Sequence, residues 1–446
     1  MFNDGALLVI AGAGSGKTRT LTYRVARLVE EGVSPQSILL LTFTRKASAE
    51  MLSRASRLLD KRCEKVSGGT FHSFANAVLR RYAPAVGFKT GFSILDRSDA
   101  ESLIGMIKKE LGLTSQKRGF PKNRTLANVF SKAINKVISV EDVVFDDYPH
   151  FSEYIVAVTG LFNAYQERKA QHNFFDYDDL LVYLHRLLKN HKDIRESLSS
   201  SYRYIMVDEY QDTNLLQAEI MYLLANKNKN VMAVGDDSQS IYAFRGANFK
   251  NIMDFPKIFP GTTIIGLEQN YRSVQPVLTL TNAMIEQAAE KYDKKLFTQK
   301  KGGAMPRLVD TGNENNQSIF VTDKIKEITR EGISPGQIAV LFRAGFHSFD
   351  LEIELNREQI PFVKVGGFKF MESAHIKDLL AHLRVIINPY DRISWYRLLL
   401  LLNKVGPKTA HDIYEAIANE RAGYTGILTV KNKPKKLDGW KPLEEL

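Results

Sequence analysis

The chain has 446 residues, with 61 Lys plus Arg against 50 Asp plus Glu and a formal net charge of +11. Hydrophobic residues at 44% and charged residues at 25% are ordinary globular proportions, which excludes wholesale disorder and fibrous repeats, and the length suits about three domains. The single cysteine, Cys63, excludes an intrachain disulfide and a Cys-rich metal site. The longest apolar runs fall short of the roughly 18 residues that span a membrane, so no membrane partner is expected and a reducing cytoplasm fits best. The positive balance points to an anionic partner, nucleic acid first.

Short apolar runs at 7–10, 38–41, 204–207, 231–234, 263–267 and 338–342 alternate with helical stretches. Runs of this length ending in Gly, Asp or Thr predict parallel strands buried on both faces, hence an α/β fold. Between about 76 and 202 the strand signal fades and AESLIGMIKKELGL and SKAINKVISV show helical spacing, the mark of a helical insertion. A polar stretch at 294–307 with Gly302, Gly303 and Pro306 reads as an interruption between helix and strand. After Pro389 the pattern is helical again, and the basic tail from Lys431 reads as a loose end.

AGAGSGKT, made of Ala11, Gly12, Ala13, Gly14, Ser15, Gly16, Lys17 and Thr18, follows the first apolar run and opens a helical segment. In that setting consecutive backbone N–H groups aimed inward by glycines cradle phosphate oxygens, Lys17 reaches the terminal phosphates and the Thr18 hydroxyl joins the shell of a Mg²⁺ ion. Ala11 stands where the usual pattern has glycine. A nucleotide site also needs a carboxylate for the metal and a group to handle water, and Asp208 and Glu209 emerge at the C-terminal end of the run 204–207. Alone, such a pair is a solvated strand end; beside a phosphate loop it reads as catalytic, Asp208 on Mg²⁺ and Glu209 on water.

DEYQDTN at 208–214 resembles superfamily 1 DNA helicases of the UvrD/Rep/PcrA type, and the resemblance continues in order through LTFTRKASAEM, GTFHSF, VGDDSQSIYAFRGA, LEQNYRS and GGFKFMESAHIKDLLAHLRVIINPYD, ending near Asp391. It implies a P-loop NTPase with two RecA-like parallel-sheet domains, each carrying a mainly helical insertion: motor domain 1A at 1–75 and 203–268, insertion 1B at 76–202, motor domain 2A at 269–388 and the start of insertion 2B at 389–446. It implies that Gln239 senses the γ-phosphate, that Arg272 is an arginine finger, and that Tyr271 stacks on adenine with Arg19 nearby. By spacing alone Arg272 is a surface arginine. Phe43, Thr70, His72, Tyr242, Phe244 and Arg245 would line a track for single-stranded DNA, with Phe244 where the family usually has Trp. Spacing alone leaves Tyr242 and Phe244 equally readable as core aromatics. The basic cluster Lys117, Arg118, Lys122 and Arg124 would contact duplex DNA or stand as a solvated loop.

The resemblance therefore implies an ATP- and Mg²⁺-dependent 3′–5′ helicase acting on single-stranded and 3′-tailed duplex DNA in repair or replication restart. Motifs that family members carry before the first strand and after the second insertion are not found, so the chain is expected to be a fragment that binds ATP and unwinds DNA poorly by itself. Two other readings stand beside this: an ATP- and DNA-binding module without unwinding activity, and the motor subunit of a helicase-nuclease.

Overall fold

Parallel strands buried on both faces need apolar residues at every position, and the first runs have them. In a computed structural model, which describes residues 4–113, 119–225, 227–243, 246–365, 374–388, 390–402 and 405–419, they form β1 (Leu7–Ala11), β2 (Ile38–Thr42), β6 (Tyr204–Val207) and β7 (Val231–Gly235). With β3 (Ser67–Thr70) and β8 (Thr263–Leu267) they make one six-stranded parallel sheet in the order β3-β2-β6-β7-β1-β8. Alternate residues feed two cores. Leu8, Ile10, Leu39, Leu41, Ile205 and Val207 face one side, and Leu7, Val9, Ile38, Leu40, Met206 and Val234 face the other.

The helix Lys17–Glu30 covers the second face with Leu21, Val25, Leu28 and Val29, spaced for one stripe. Thr44 and Thr70 start the helices Arg45–Leu58 and Phe71–Tyr82 by accepting from the N–H groups of Ala47 and Ser73. Between β3 and β6 lies a mainly helical stretch in which, among the described residues, β4 (Ser93–Ile94) and β5 (Phe174–Phe175) pair. At its heart Lys169 is buried between Asp176 and Asp179, 2.6 Å from each. Among the described residues no helix is long and apolar enough to cross a membrane.

The structure departs from the sequence reading at several strands. β3 has no apolar run because it is a short edge strand, and SGGT gives no burial signal. β8 was expected to be buried on both faces but is the other edge, with Ile264 and Ile265 exposed. The run 338–342 joins no ladder among the described residues, and Leu341 is 93% exposed; a strand forms only where a neighbour takes its backbone hydrogen bonds.

The chain divides into two compact units, Met1–Pro306 and Arg307–Leu446. The first includes the segment from 269 to 306 as well as the sheet. The second contains the helices Glu314–Arg330, Phe349–Arg357, Ala374–Ile387, Arg392–Leu399 and Pro407–Asn419. Ile325, Leu351 and Leu355 form one small core there, and Val385, Trp395, Leu399, Ile413 and Ile417 belong to another. Residues 366–373 of the expected 2A motif and the tail from Lys431 lie outside the described residues.

Candidate nucleotide site and adjoining nucleic-acid cleft

All the elements of this site belong to the first unit. The loop between β1 and the helix Lys17–Glu30 is built on glycine geometry: Gly14 and Gly16 have φ of +81° and +100°, and Gly16 sits at the helix N-cap. Both the N–H and the hydroxyl of Ser15 donate to the Gly12 carbonyl, at 3.1 and 2.8 Å, closing the turn. Lys17 and Thr18 thus open the helix, with free amides and the positive end of the helix dipole beside them.

Two strands away, the Asp208 N–H donates to the Leu41 carbonyl at 2.9 Å and fixes the end of β6 beside β2. Glu209 then takes a left-handed backbone conformation, φ 50° and ψ 47°, uncommon for a residue with a side chain. Its Oε2 accepts from Lys17 Nζ at 2.8 Å, and from Gln211 Nε2 at 2.9 Å. At Asp208, Oδ1 is buried without a hydrogen bond, and burial, with the charge of Glu209 second, pushes its carboxyl up to about 7 against the opposing pull of Lys17. Asp212 shows the same pattern, its Oδ1 buried and unpaired and its carboxyl raised to about 6 by burial and then by Glu209. A divalent cation at Asp208 would supply the missing counter-charge. A buried carboxylate oxygen without a hydrogen bond suits Mg²⁺, which takes few protein ligands and fills its shell with phosphate and water.

The NYRS turn closes on the loop from the other side. Tyr271 N–H donates to the Gly14 carbonyl at 2.9 Å, Asn270 Nδ2 donates to the Ala13 carbonyl, and Asn270 Oδ1 accepts from the N–H groups of Arg272 and Ser273 at 2.8 and 2.7 Å. Arg272 is so near that a β-carbon on Gly14 would lie 2.6 Å from its own. The Tyr271 ring is exposed, and the exposed Arg19 lies over Tyr23, 5.2 Å from the ring centre. Gln239 ends a short turn after β7, where its amide donates to Asp236 Oδ2 at 2.6 Å.

Phe43, Thr70, His72 and Tyr242 all line one cleft of about 860 Å³, and Asp208 and Glu209 line it too. Phe43 and Tyr242 lie 5.0 Å apart with their planes 33° from parallel. Thr70 also has a purely local task, as the helix cap described above. Phe244 and Arg245 lie outside the described residues, as do Lys117 and Arg118 of the basic cluster.

The same cleft is lined by residues that sequence reasoning passed over. Arg97 and Lys132 join Arg124 there. Asn135, from the helix Asn123–Lys136, donates to Asp178 Oδ1 at 2.7 Å and accepts from Asn214 Nδ2 at 2.6 Å, tying the insertion to the DEYQDTN loop. Besides Ser131 four residues back, the partners of Asn135 are 43 and 79 residues away, so no local pattern marks its role in that tie.

His72 touches Tyr177 edge-on, and burial pushes its imidazole down to about 4. The unfolded chain, near 6.5, then binds more protons than the fold between these values, so the His72 contribution to stability is full above pH 6.5 and is lost as pH falls toward 4. Thermal midpoints of His72→Gln and the parent, measured from pH 7.5 to 4, should converge on acidification. A constant gap would contradict this.

Comparison with known proteins agrees with this geometry. The UvrD/REP helicase N-terminal domain matches residues 2–260 and the UvrD-like helicase C-terminal domain matches residues 265–428. The chain is 37% identical over 412 residues to the ATP-dependent DNA helicase PcrA of Staphylococcus epidermidis, and 35% identical over the same length to that of Staphylococcus aureus. In both cases 92% of this chain is covered, and it spans 56% of the relative's length. With a phosphate loop, a strand-end Asp-Glu pair and an arginine turn gathered around it, and two family domains matched end to end, the chain belongs to the UvrD/REP helicase family.

Proposed function

We propose that this chain is the motor of an ATP-dependent DNA helicase that translocates 3′ to 5′ on single-stranded DNA and opens 3′-tailed duplexes in the cytoplasm. One observation carries the reading: Glu209, the partner of the phosphate-loop lysine, also lines the cleft that holds the tilted ring pair of Phe43 and Tyr242. Chemistry at the phosphates and a grip on bases thus share a wall. The polarity and the DNA substrates rest on the family resemblance, as do the divisions at 268 and 388 between motor domains and insertion.

Lys17, drawn off Glu209 by a competing polyanion, neutralises phosphate charge and leaves Glu209 free to take a proton from water. Mg²⁺, when bound, polarises the phosphates, and Thr18 and Asp208 are the residues that would hold it. Arg272 adds positive charge from the turn that abuts Gly14, Gln239 reads the terminal phosphate, and Tyr271 with Arg19 frames the base. Phe43 and Tyr242, with Phe244, offer faces on which any base stacks, while Thr70, His72 and Arg245 flank the strand.

ATP hydrolysis measured with and without single-stranded DNA tests the reading. DNA should stimulate turnover, and Tyr242→Ala should raise the DNA concentration giving half-stimulation by about 5- to 150-fold, the equivalent of roughly 1–3 kcal/mol per stacked base. Turnover indifferent to DNA would favour another kind of P-loop enzyme.

A further inference from the structure

The segment that reads in sequence as a polar interruption runs between the parts of the nucleotide site. Lys294 is buried, its side chain 5% exposed, and its ammonium pairs with both Asp236 and Asp237, whose side chains are 4% and 2% exposed. Asp236 is in turn the residue that holds Gln239: its Oδ2 accepts from Gln239 Nε2 at 2.6 Å, and its N–H donates to Gln211 Oε1 at 2.9 Å. Two residues past Lys294, the Leu296 side chain fills the space where Gly12 would carry a β-carbon. The next carbonyl, of Phe297, accepts from the Asn270 N–H at 2.7 Å. One short strap therefore touches the sensor loop, the phosphate loop and the arginine turn.

A lysine enclosed by carboxylates needs no functional explanation by itself, since two adjacent buried aspartates require a counter-charge. The connectivity goes further. Asp236 has one oxygen on the cation and on the Ser238 N–H, at 3.1 Å from the latter, and the other on the glutamine amide, so the ammonium helps set where the carboxylate stands and the carboxylate sets where the amide points. We propose that Lys294 is a positioning residue that acts through Asp236 to hold the Gln239 carboxamide, and thereby sets how strongly the site prefers a nucleoside triphosphate over the diphosphate. This rests on the reading of Gln239 as the terminal-phosphate sensor.

The test compares affinities of the full chain for ADP and for a non-hydrolysable ATP analogue, in the parent, Lys294→Met, Lys294→Arg, Gln239→Ala and the Lys294→Met/Gln239→Ala double variant. Lys294→Met should shrink the triphosphate preference by about tenfold, the worth of one charged hydrogen bond, and Gln239→Ala should shrink it by a similar factor. The double variant should lose no more than either single one, and Lys294→Arg should keep most of the preference. Should Lys294→Met not fold, Lys294→Met/Asp237→Asn keeps the net charge of the cluster, and the same loss is expected there. A preference unchanged by Gln239→Ala would remove the sensor, and the strap's role with it. A loss in Gln239→Ala but none at Lys294, or losses that multiply in the double variant, would overturn the role of Lys294 while leaving the sensor intact.

Discussion

Arg272→Ala is expected to slow DNA-stimulated ATP turnover by about 10³- to 10⁵-fold, the range found where an arginine meets the charge of a transferring phosphoryl group. The expectation comes from the anchoring of the turn. Asn270 and Tyr271 bind the carbonyls of Ala13 and Gly14, and Arg272 starts its side chain in contact with that loop. The loss should fall on kcat, because an interaction that strengthens as charge develops contributes little to ground-state binding. Arg272→Lys should restore only part of the rate, since an ammonium lacks the planar fork of guanidinium. Steady-state kinetics of the three proteins decide the matter, and a loss below about tenfold would take Arg272 out of the chemistry.

Glu209→Gln should lower the same rate by about 10²- to 10⁴-fold, the usual worth of a positioned general base. Its effect on binding should have the opposite sign. Glu209 now occupies Lys17 at 2.8 Å and raises the carboxyl of Asp208, so removing its charge frees the lysine for phosphate and leaves Asp208 more readily ionised for a cation. ATP affinity measured in the presence of Mg²⁺ should therefore hold or rise while hydrolysis collapses. Weaker binding with an unchanged rate would show that Glu209 merely holds Lys17.

Much of this arrangement was legible in the chain because its signals are local. The run 7–10 followed by AGAGSGKT, and 204–207 followed by Asp208 and Glu209, are each a strand and the loop at its end, and the sheet places them as read. Local signals failed where the decisive neighbour is distant. β3 is a strand because β2 lends it a ladder, and 338–342, far more apolar, is no strand because nothing pairs with it among the described residues. Likewise Lys294 and Leu296 look like ordinary residues of a polar stretch until the fold sets them on Asp236 and Gly12. Their partners are separated from them by more than 50 residues, beyond the reach of any spacing rule.

The left-handed backbone at Glu209 has a consequence for how this site can age. A residue with a β-carbon in that conformation costs about 1–2 kcal/mol that glycine would not, and asparagine would bear it more easily. A lineage that no longer needed to burn nucleotide would be nudged by stability alone toward those smaller residues. Under the proposed role of Glu209 as the base for water, this fold carries a standing backbone penalty in exchange for holding an acid at that point.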